Sequence, residues 1–130
     1  MISRMAVTGT LAAALTLAVG GCVGNPPAAS TARTGPPTAT LRVGLLEWRI
    51  VTSGAAVLPG DDRFIVTNTG TTAHDLHVTG PGMHANTPIL PPGHSATLSV
   101  TAPAGATLRL SCELPGHERA GMHATVTVTR

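Results

Sequence analysis

The clearest signal in this chain is the stretch Ser111-Cys-Glu-Leu-Pro-Gly-His-Glu-Arg-Ala-Gly-Met122. It places a thiolate, an imidazole and a thioether at Cys112, His117 and Met122, in the pattern C-x4-H-x4-M. Thiolate and thioether sulfurs are soft ligands, and imidazole binds copper in both oxidation states, so this combination favours copper. A second imidazole would complete a set of three strong ligands, and His74, next to Asp75, can supply it.

From Thr40 onward, apolar and polar residues alternate in short runs that turn residues separate. The inward-facing series are Leu41/Val43/Leu45, Phe64/Val66, Leu98/Val100, Leu108/Leu110 and Val126/Val128. Alternation of this kind, with Thr and Val prominent and no helical period, predicts six to eight strands. We expect an all-β domain, an antiparallel β-sandwich or Greek-key barrel. Cys112 continues the phase of Leu108 and Leu110, so its side chain is expected to point inward.

Two local features add to the strand pattern. The apolar phase shifts at Trp48 and Ile50, which predicts a β-bulge near residues 44–46. Pro81-Gly82 opens a segment that closes at Pro92-Gly93, and we interpret this segment as one long loop.

The first 39 residues have a different character from the domain that follows. A short apolar run from Ala6 to Val19 follows Arg4 and ends in Val19-Gly-Gly-Cys22, which resembles a bacterial lipobox. We predict a signal peptide over 1–21, lipidation of Cys22, and therefore an extracytoplasmic protein anchored to the membrane; an ordinary secretory signal is the alternative. Residues 22–39 are rich in Pro, Ala and Thr and predict a disordered tether before a domain at 40–130.

Charge and cysteine content narrow the possible partners. Eight basic residues, all Arg, oppose six acidic ones, and no basic run suggests a nucleic-acid partner. The chain has two Cys, so a lipidated Cys22 leaves Cys112 without a disulfide partner. Metal ligation explains an unpaired exported thiol, whereas the alternatives are a Cys22–Cys112 disulfide or an inert buried Cys.

Residues 40–130 resemble the cupredoxins, the blue-copper fold of plastocyanin, azurin, auracyanin and sulfocyanin. The resemblance rests on Phe64-Ile-Val-Thr-Asn68 with Gly70, on His74-Asp-Leu76, on Pro92-Gly93, and above all on the 112–122 loop. The loop spacing is more similar to the sulfocyanin-like and auracyanin-like branch than to plastocyanin. The resemblance implies one type 1 copper ion held by His74, Cys112 and His117, with Met122 as the weak axial ligand. It also implies that the edge of the His117 ring is the electron port, within an apolar patch of Pro115, Ala120 and Gly121.

Three residues depart from the family pattern. Asp75 stands where Asn is common, and we expect this carboxylate, which follows the predicted ligand His74, to accept backbone N–H bonds and to lower the reduction potential. Ser111 stands where an aromatic residue often precedes the Cys. The chain has no Tyr, one Phe and one Trp, so we expect a thinner core of Val, Leu and Ala.

The remaining His and Met residues allow two interpretations. On a strand, His77 lies on the opposite face from His74, and we interpret it as an exposed strand residue. Met83 and His84 lie in the long Pro-Gly segment, and Met122-His123 repeats the pair. Met83 and His84 are therefore a candidate accessory copper site.

The function expected from these features is one-electron transfer to or from redox proteins such as a cytochrome or an oxidase, without a small-molecule substrate. Copper handling or delivery is the alternative, which the additional His and Met residues support. We do not expect an enzyme, because multicopper enzymes have a further copper cluster, usually with His-x-His pairs, and the sequence has no such pair. An adhesion or interaction module without metal has no physical need for these ligand spacings.

Overall fold

The computed structural model describes residues 36–130. The predicted signal peptide, the lipidation site Cys22 and most of the predicted tether lie outside the described residues. Within residues 36–130, no helix is both long and apolar enough to cross a membrane.

The described chain forms nine strands and one helix of a single turn. The strands are β1 Thr40–Leu46, β2 Arg49–Thr52, β3 Ala56–Val57, β4 Gly60–Asn68, β5 His77–Gly80, β6 Met83–Asn86, β7 Ser95–Ala102, β8 Thr107–Ser111 and β9 His123–Val128, and the helix is α1 His117–Ala120. They form two sheets, with strand orders β2-β1-β4-β7 and β3-β9-β8-β5-β6. The prediction of an all-β sandwich is confirmed. The sheets are mixed and not purely antiparallel as expected, because β1 pairs with β4 and β3 pairs with β9 in parallel.

The core lies between the two sheets and follows the predicted alternation. Along β1, Leu41, Val43 and Leu45 are buried while their neighbours are more exposed. Phe64 is fully buried on β4, and Val, Leu and Ala dominate the rest of the core. Because alternate strand residues point to opposite faces, one apolar series per strand is sufficient to fill the interior.

Two local predictions were wrong, and one element was missed. There is no bulge over residues 44–46 in β1; instead β1 and β2 form a hairpin in which Leu46 pairs with Arg49. The hairpin turn shifts the phase, and Trp48 in that turn has a φ of 71°. The segment expected to be one long loop contains β6, which pairs with β5 across the Pro81-Gly82 turn. The α1 turn was not expected.

Two residues that precede β1 are hydrogen-bonded to β4. The Thr38 N–H donates to the Asp61 carbonyl, and the Arg63 N–H donates to the Ala39 carbonyl. The last residues of the predicted tether therefore pair with β4.

Candidate metal centre

His74 lies in the loop between β4 and β5 and is held by backbone pairing. His74 and Leu90 exchange both backbone hydrogen bonds, at 3.1 and 2.7 Å. The buried Asn68, the last residue of β4, donates from its side-chain amide to the carbonyls of Leu90 and Thr72. These bonds fix the loop at the end of one sheet, so the His74 backbone is positioned without a metal.

The other predicted ligands lie between β8 and β9, which are neighbours in the second sheet. Cys112 directly follows β8, His117 begins α1, and Met122 directly precedes β9. The Cys112 N–H donates to the Met122 carbonyl, and the Met122 N–H donates to the His117 carbonyl, both at 3.1 Å. The loop thus folds back on itself and brings its three sulfur and nitrogen ligands to one end of the sandwich.

The predicted ligands meet in a buried cluster. His74 Nδ1 lies 3.2 Å from His117 Nδ1, which lies 3.5 Å from Cys112 Sγ. The donor atoms of these three residues all lie within 4.8 Å of one another, close enough for one ion to bridge them. His74, Cys112 and Met122 have no exposed surface, and His117 is half-buried. Two imidazoles, one thiol and an adjacent thioether are a donor set that fits copper.

Cys112 is a free thiol in a low-dielectric environment. Burial raises its pKa, while the backbone N–H groups of Asp75 and Leu114 act in the opposite direction by favouring the thiolate. The Asp75 side chain adds a further upward effect on the Cys112 pKa. Because burial disfavours an isolated thiolate, its ionisation here requires a positive charge, which a bound cation supplies.

Asp75 connects the two ligand loops. Its Oδ1 accepts a hydrogen bond from the Glu113 N–H at 2.8 Å, and its Oδ2 lies 3.3 Å from His77 Nε2. Asp75 directly follows His74, and Glu113 directly follows Cys112. The hydrogen bond between Asp75 and Glu113 therefore links the two segments that carry these predicted ligands. The effect of this carboxylate on a reduction potential stays a prediction.

Glu47, in the β1–β2 turn, contacts the centre and was not identified from the sequence. Its Oε1 lies 3.3 Å from His74 Nε2 and accepts the backbone N–H groups of Thr71 and Thr72 at 2.6 and 2.8 Å. The Thr72 N–H, with further backbone N–H groups including that of Thr71, lowers the Glu47 pKa to about 2. The ionised carboxylate favours a proton on His74 Nε2, which leaves the Nδ1 lone pair facing the cluster.

Glu47 has no sequence signal of its own. It lies 27 residues from His74 in the chain, and only the tertiary fold brings them together. Glu47 and Trp48 form the turn between β1 and β2. Recognising this hairpin turn in the sequence would have placed Glu47 at one end of the sheet, but not next to His74.

The side chain of Trp48 packs against the candidate electron port. Its ring meets the His117 ring edge-on, with centroids 5.0 Å apart and an interplanar angle of 87°. Trp48 is 47% exposed, and Pro115 and Ala120 are exposed on the same loop as His117. Trp48 thus adds an aromatic surface that the sequence analysis did not assign to this region.

The candidate accessory pair separates into two environments. Met83 packs against the core, whereas His84 Nε2 lies 3.1 Å from His77 Nδ1 on the outer face of the sheet. Successive residues of a strand point to opposite faces, and Met83 and His84 are adjacent on β6. His77, with a side chain 15% exposed, lies nearer the interior than the exposed strand residue that we expected.

Solved structures with a similar fold include two auracyanins. Auracyanin from the photosynthetic bacterium Roseiflexus castenholzii is 22% identical, with a TM-score of 0.58 over 74% of this chain and 100% of that one. Auracyanin B is 21% identical, with a TM-score of 0.60 over 74% and 92% of the two chains. A multicopper oxidase from Campylobacter jejuni is 12% identical, with a TM-score of 0.60, and the match covers 75% of this chain but 31% of the oxidase.

No family model matches the sequence, and no curated protein matches it. The structural likeness, at these identities, establishes the fold. The chain has the cupredoxin fold, with a Cys-His-His-Met group at one end of the sandwich.

Proposed function

We propose that this protein is a one-electron carrier with a single type 1 copper site, tethered outside the cytoplasmic membrane by lipid on Cys22. The observation that carries the proposal is the buried cluster of His74, Cys112 and His117 with Met122 beside it. Burying polar side chains costs free energy that an apolar core would avoid, and binding of a metal ion between these donors gives the cluster a function.

When bound, copper supplies a couple between Cu(I) and Cu(II), and three strong ligands with a weak thioether suit both states. The contribution of the chain is rigidity. His74 is held by the Leu90 bridge and by Asn68, and the Cys112–Met122 backbone bond closes the second loop. Because these bonds are made by backbone groups and by Asn68, and not by the donor atoms of the ligands, we expect the ligands to keep their positions when the charge of the centre changes.

Electron exchange is proposed to pass through His117. Its ring is half-buried, and the exposed residues around it are Trp48, Pro115 and Ala120. A small apolar surface of this kind fits the short contact that a transient redox partner makes. The partner would be a redox protein such as a cytochrome or an oxidase.

Copper delivery is the alternative function. Against it, His74, Cys112 and Met122 have no exposed surface, and a site from which a partner removes copper needs accessible ligands. An enzymatic role is not proposed, because the likeness to the multicopper oxidase is limited to 31% of that chain and concerns the fold alone.

The test is a titration with Cu(II) of the protein beginning after Cys22, followed by visible absorption and EPR. We expect an intense thiolate-to-copper band and a narrow copper hyperfine splitting at one equivalent, both lost in Cys112→Ala. Weak, pale binding that Cys112→Ala leaves unchanged would refute electron transfer and favour copper handling.

A further inference from the structure

A second group of metal-ligating side chains lies on the outer face of the β5–β6 hairpin. His77 begins β5, His84 is on β6, and Glu113 follows the ligand Cys112. His77 Nδ1 lies 3.1 Å from His84 Nε2 and 3.4 Å from Glu113 Oε1. The donor atoms of all three residues lie within 4.8 Å of one another, and none of these residues belongs to the buried cluster.

Asp75 orients the His77 ring for metal binding. Its Oδ2 lies 3.3 Å from His77 Nε2, and the Asp75 side chain is 10% exposed. Its other oxygen is fixed by the Glu113 N–H. A carboxylate beside Nε2 favours the tautomer with the proton on Nε2, so Nδ1 presents its lone pair to His84 and Glu113. A carboxylate behind a ligating imidazole is the usual arrangement around protein-bound metals.

The spacing and chemistry of these donors fit a divalent transition ion. Bonds of about 2.0–2.2 Å to a tetrahedral ion place neighbouring donors roughly 3.4 Å apart. The two short separations from His77 Nδ1 fall near that value, at 3.1 and 3.4 Å. Two imidazoles and one carboxylate suit Zn²⁺ or Cu²⁺ and lack the sulfur donor that selects Cu⁺.

We propose that His77, His84 and Glu113 bind a Zn²⁺ or Cu²⁺ ion at a second site on the surface of the domain. His84 and Glu113 are exposed, so water or an external ligand has access to the remaining coordination position. The site replaces the Met83–His84 pairing predicted from the sequence: it keeps His84 and substitutes His77 and Glu113 for Met83.

The second site is physically connected to the buried cluster. Asp75 contacts both His77 and Glu113. The two acidic residues, Asp75 and Glu113, directly follow the predicted copper ligands His74 and Cys112 in the chain. A divalent ion bound to His77 adds positive charge next to the segments that carry His74 and Cys112. This positive charge favours the reduced state of the copper centre. By linkage, reduction of the centre then tightens binding at the second site. This coupling rests on the proposed function, whereas the existence of the second site does not.

The test is a Zn²⁺ titration of the protein loaded with one equivalent of copper, with calorimetry and chelator competition as readouts. We expect one further equivalent to bind. His84→Asn and Glu113→Gln should each weaken it at least about tenfold. His94→Asn, which removes an exposed His outside the cluster, should leave Zn²⁺ affinity unchanged. Zn²⁺ should also shift the reduction potential upward, and His84→Asn should abolish the shift.

The outcomes separate the second site from the proposed function. If Zn²⁺ does not saturate at one equivalent, or if His94→Asn weakens binding as much as His84→Asn, the second site is refuted. If the protein lacks a blue-copper spectrum, the titration is repeated without copper in Cys112→Ala. In that background, the difference in Zn²⁺ affinity between Cys112→Ala and Cys112→Ala/His84→Asn reports on the second site alone. Saturable Zn²⁺ binding without a shift in the reduction potential would support the second site and refute its coupling to the copper centre.

Discussion

At the scale of single residues, Glu47 contacts the centre through His74. Its carboxylate contacts His74 Nε2, and its pKa of about 2 keeps it ionised at neutral pH. In Glu47→Gln the side-chain carbonyl still accepts the Thr71 and Thr72 N–H bonds, but the negative charge is lost. We expect copper affinity to fall about tenfold and the reduction potential to rise, because an anion beside a ligand favours the oxidised ion.

Chelator competition and redox titration measure the two effects of Glu47→Gln. Asp61→Asn is the matched control, because Asp61 lies near the start of β4, at the opposite end of the strand from Asn68 and the centre. An unchanged potential in Glu47→Gln, or an equal rise in Asp61→Asn, would contradict a specific role for Glu47.

Asp62 is a second residue whose charge has a predictable effect, this time on stability. Its side chain occupies a core-facing position on β4, and burial raises its pKa, partly offset by the Ala39 N–H and increased by Asp61. A raised carboxyl pKa in the folded state means that folding favours the protonated form. Burial of the ionised carboxylate therefore lowers the free energy of unfolding by its full amount at pH values above the pKa of Asp62 in the folded state. This loss disappears as the pH falls toward the ordinary pKa of 3.8.

We expect Asp62→Asn to stabilise the protein at pH 7 by about 1 kcal/mol, equivalent to roughly 4–8 °C in Tm. Thermal unfolding of both proteins across a pH series measures this difference. It should shrink to nothing below about pH 3.8, where the carboxyl group is protonated in both states. A difference that does not change with pH would show that charge burial is not the cause.

At the scale of elements, the β8–β9 loop depends on Gly121. Its φ is 124°, and a Cβ at this position would lie 2.8 Å from the Trp48 carbonyl oxygen. Gly121→Ala therefore combines backbone strain with a clash against the β1–β2 turn, and the adjacent Met122 must move. We expect a loss of about 1–3 kcal/mol in stability together with a changed blue-copper spectrum, measured by chemical denaturation and EPR.

Gly93→Ala is the control for Gly121→Ala. Gly93 also has a positive φ, 80°, but a Cβ there would meet open space. This substitution should lower stability through strain alone and leave the spectrum unchanged. If both variants alter the spectrum equally, the close approach of Gly121 to Trp48 does not position Met122.

The elements also show what sequence patterns predict and what they do not. Alternation at Leu41, Val43 and Leu45 marked β1 correctly because burial on one face has a fixed period of two. The β1–β2 turn was missed because it requires a positive φ at Trp48, which is uncommon for a residue other than Gly. In β6, Met83–Asn86 has no β-branched residue, so its structure comes from pairing with β5 and not from propensity.

The same distinction holds for the site. Cys112, His117 and Met122 were recognisable because their spacing is local and the ligand chemistry is specific. Glu47 and the association of His77 with Glu113 depend on contacts between distant segments. Such contacts are set by the pairing of strands that are distant in the chain, β1 with β4 and β5 with β8, which no short stretch of sequence encodes.

At the scale of the whole molecule, we expect the fold not to depend on the metal. The core lies between the sheets, and the ligand loops are held by backbone bonds at His74 and Cys112. We therefore expect removal of copper to leave the far-UV circular dichroism unchanged. Tm should nevertheless fall, because a ligand that binds only the folded state stabilises it by mass action, by about 4 kcal/mol at a thousand times its Kd.

Thermal unfolding with and without copper measures this stabilisation. Cys112→Ala/His84→Asn is the reference variant, because it removes a donor from the buried cluster and one from the proposed second site. Its Tm should not respond to one equivalent of copper, while its circular dichroism should match that of the copper-free wild type. Loss of β-structure on copper removal would show instead that the metal organises the sandwich. In that case the bonds of His74 with Leu90 and of Cys112 with Met122 would be consequences of metal binding. The bound ion, and not the protein fold, would then provide the rigidity that the proposed electron transfer requires.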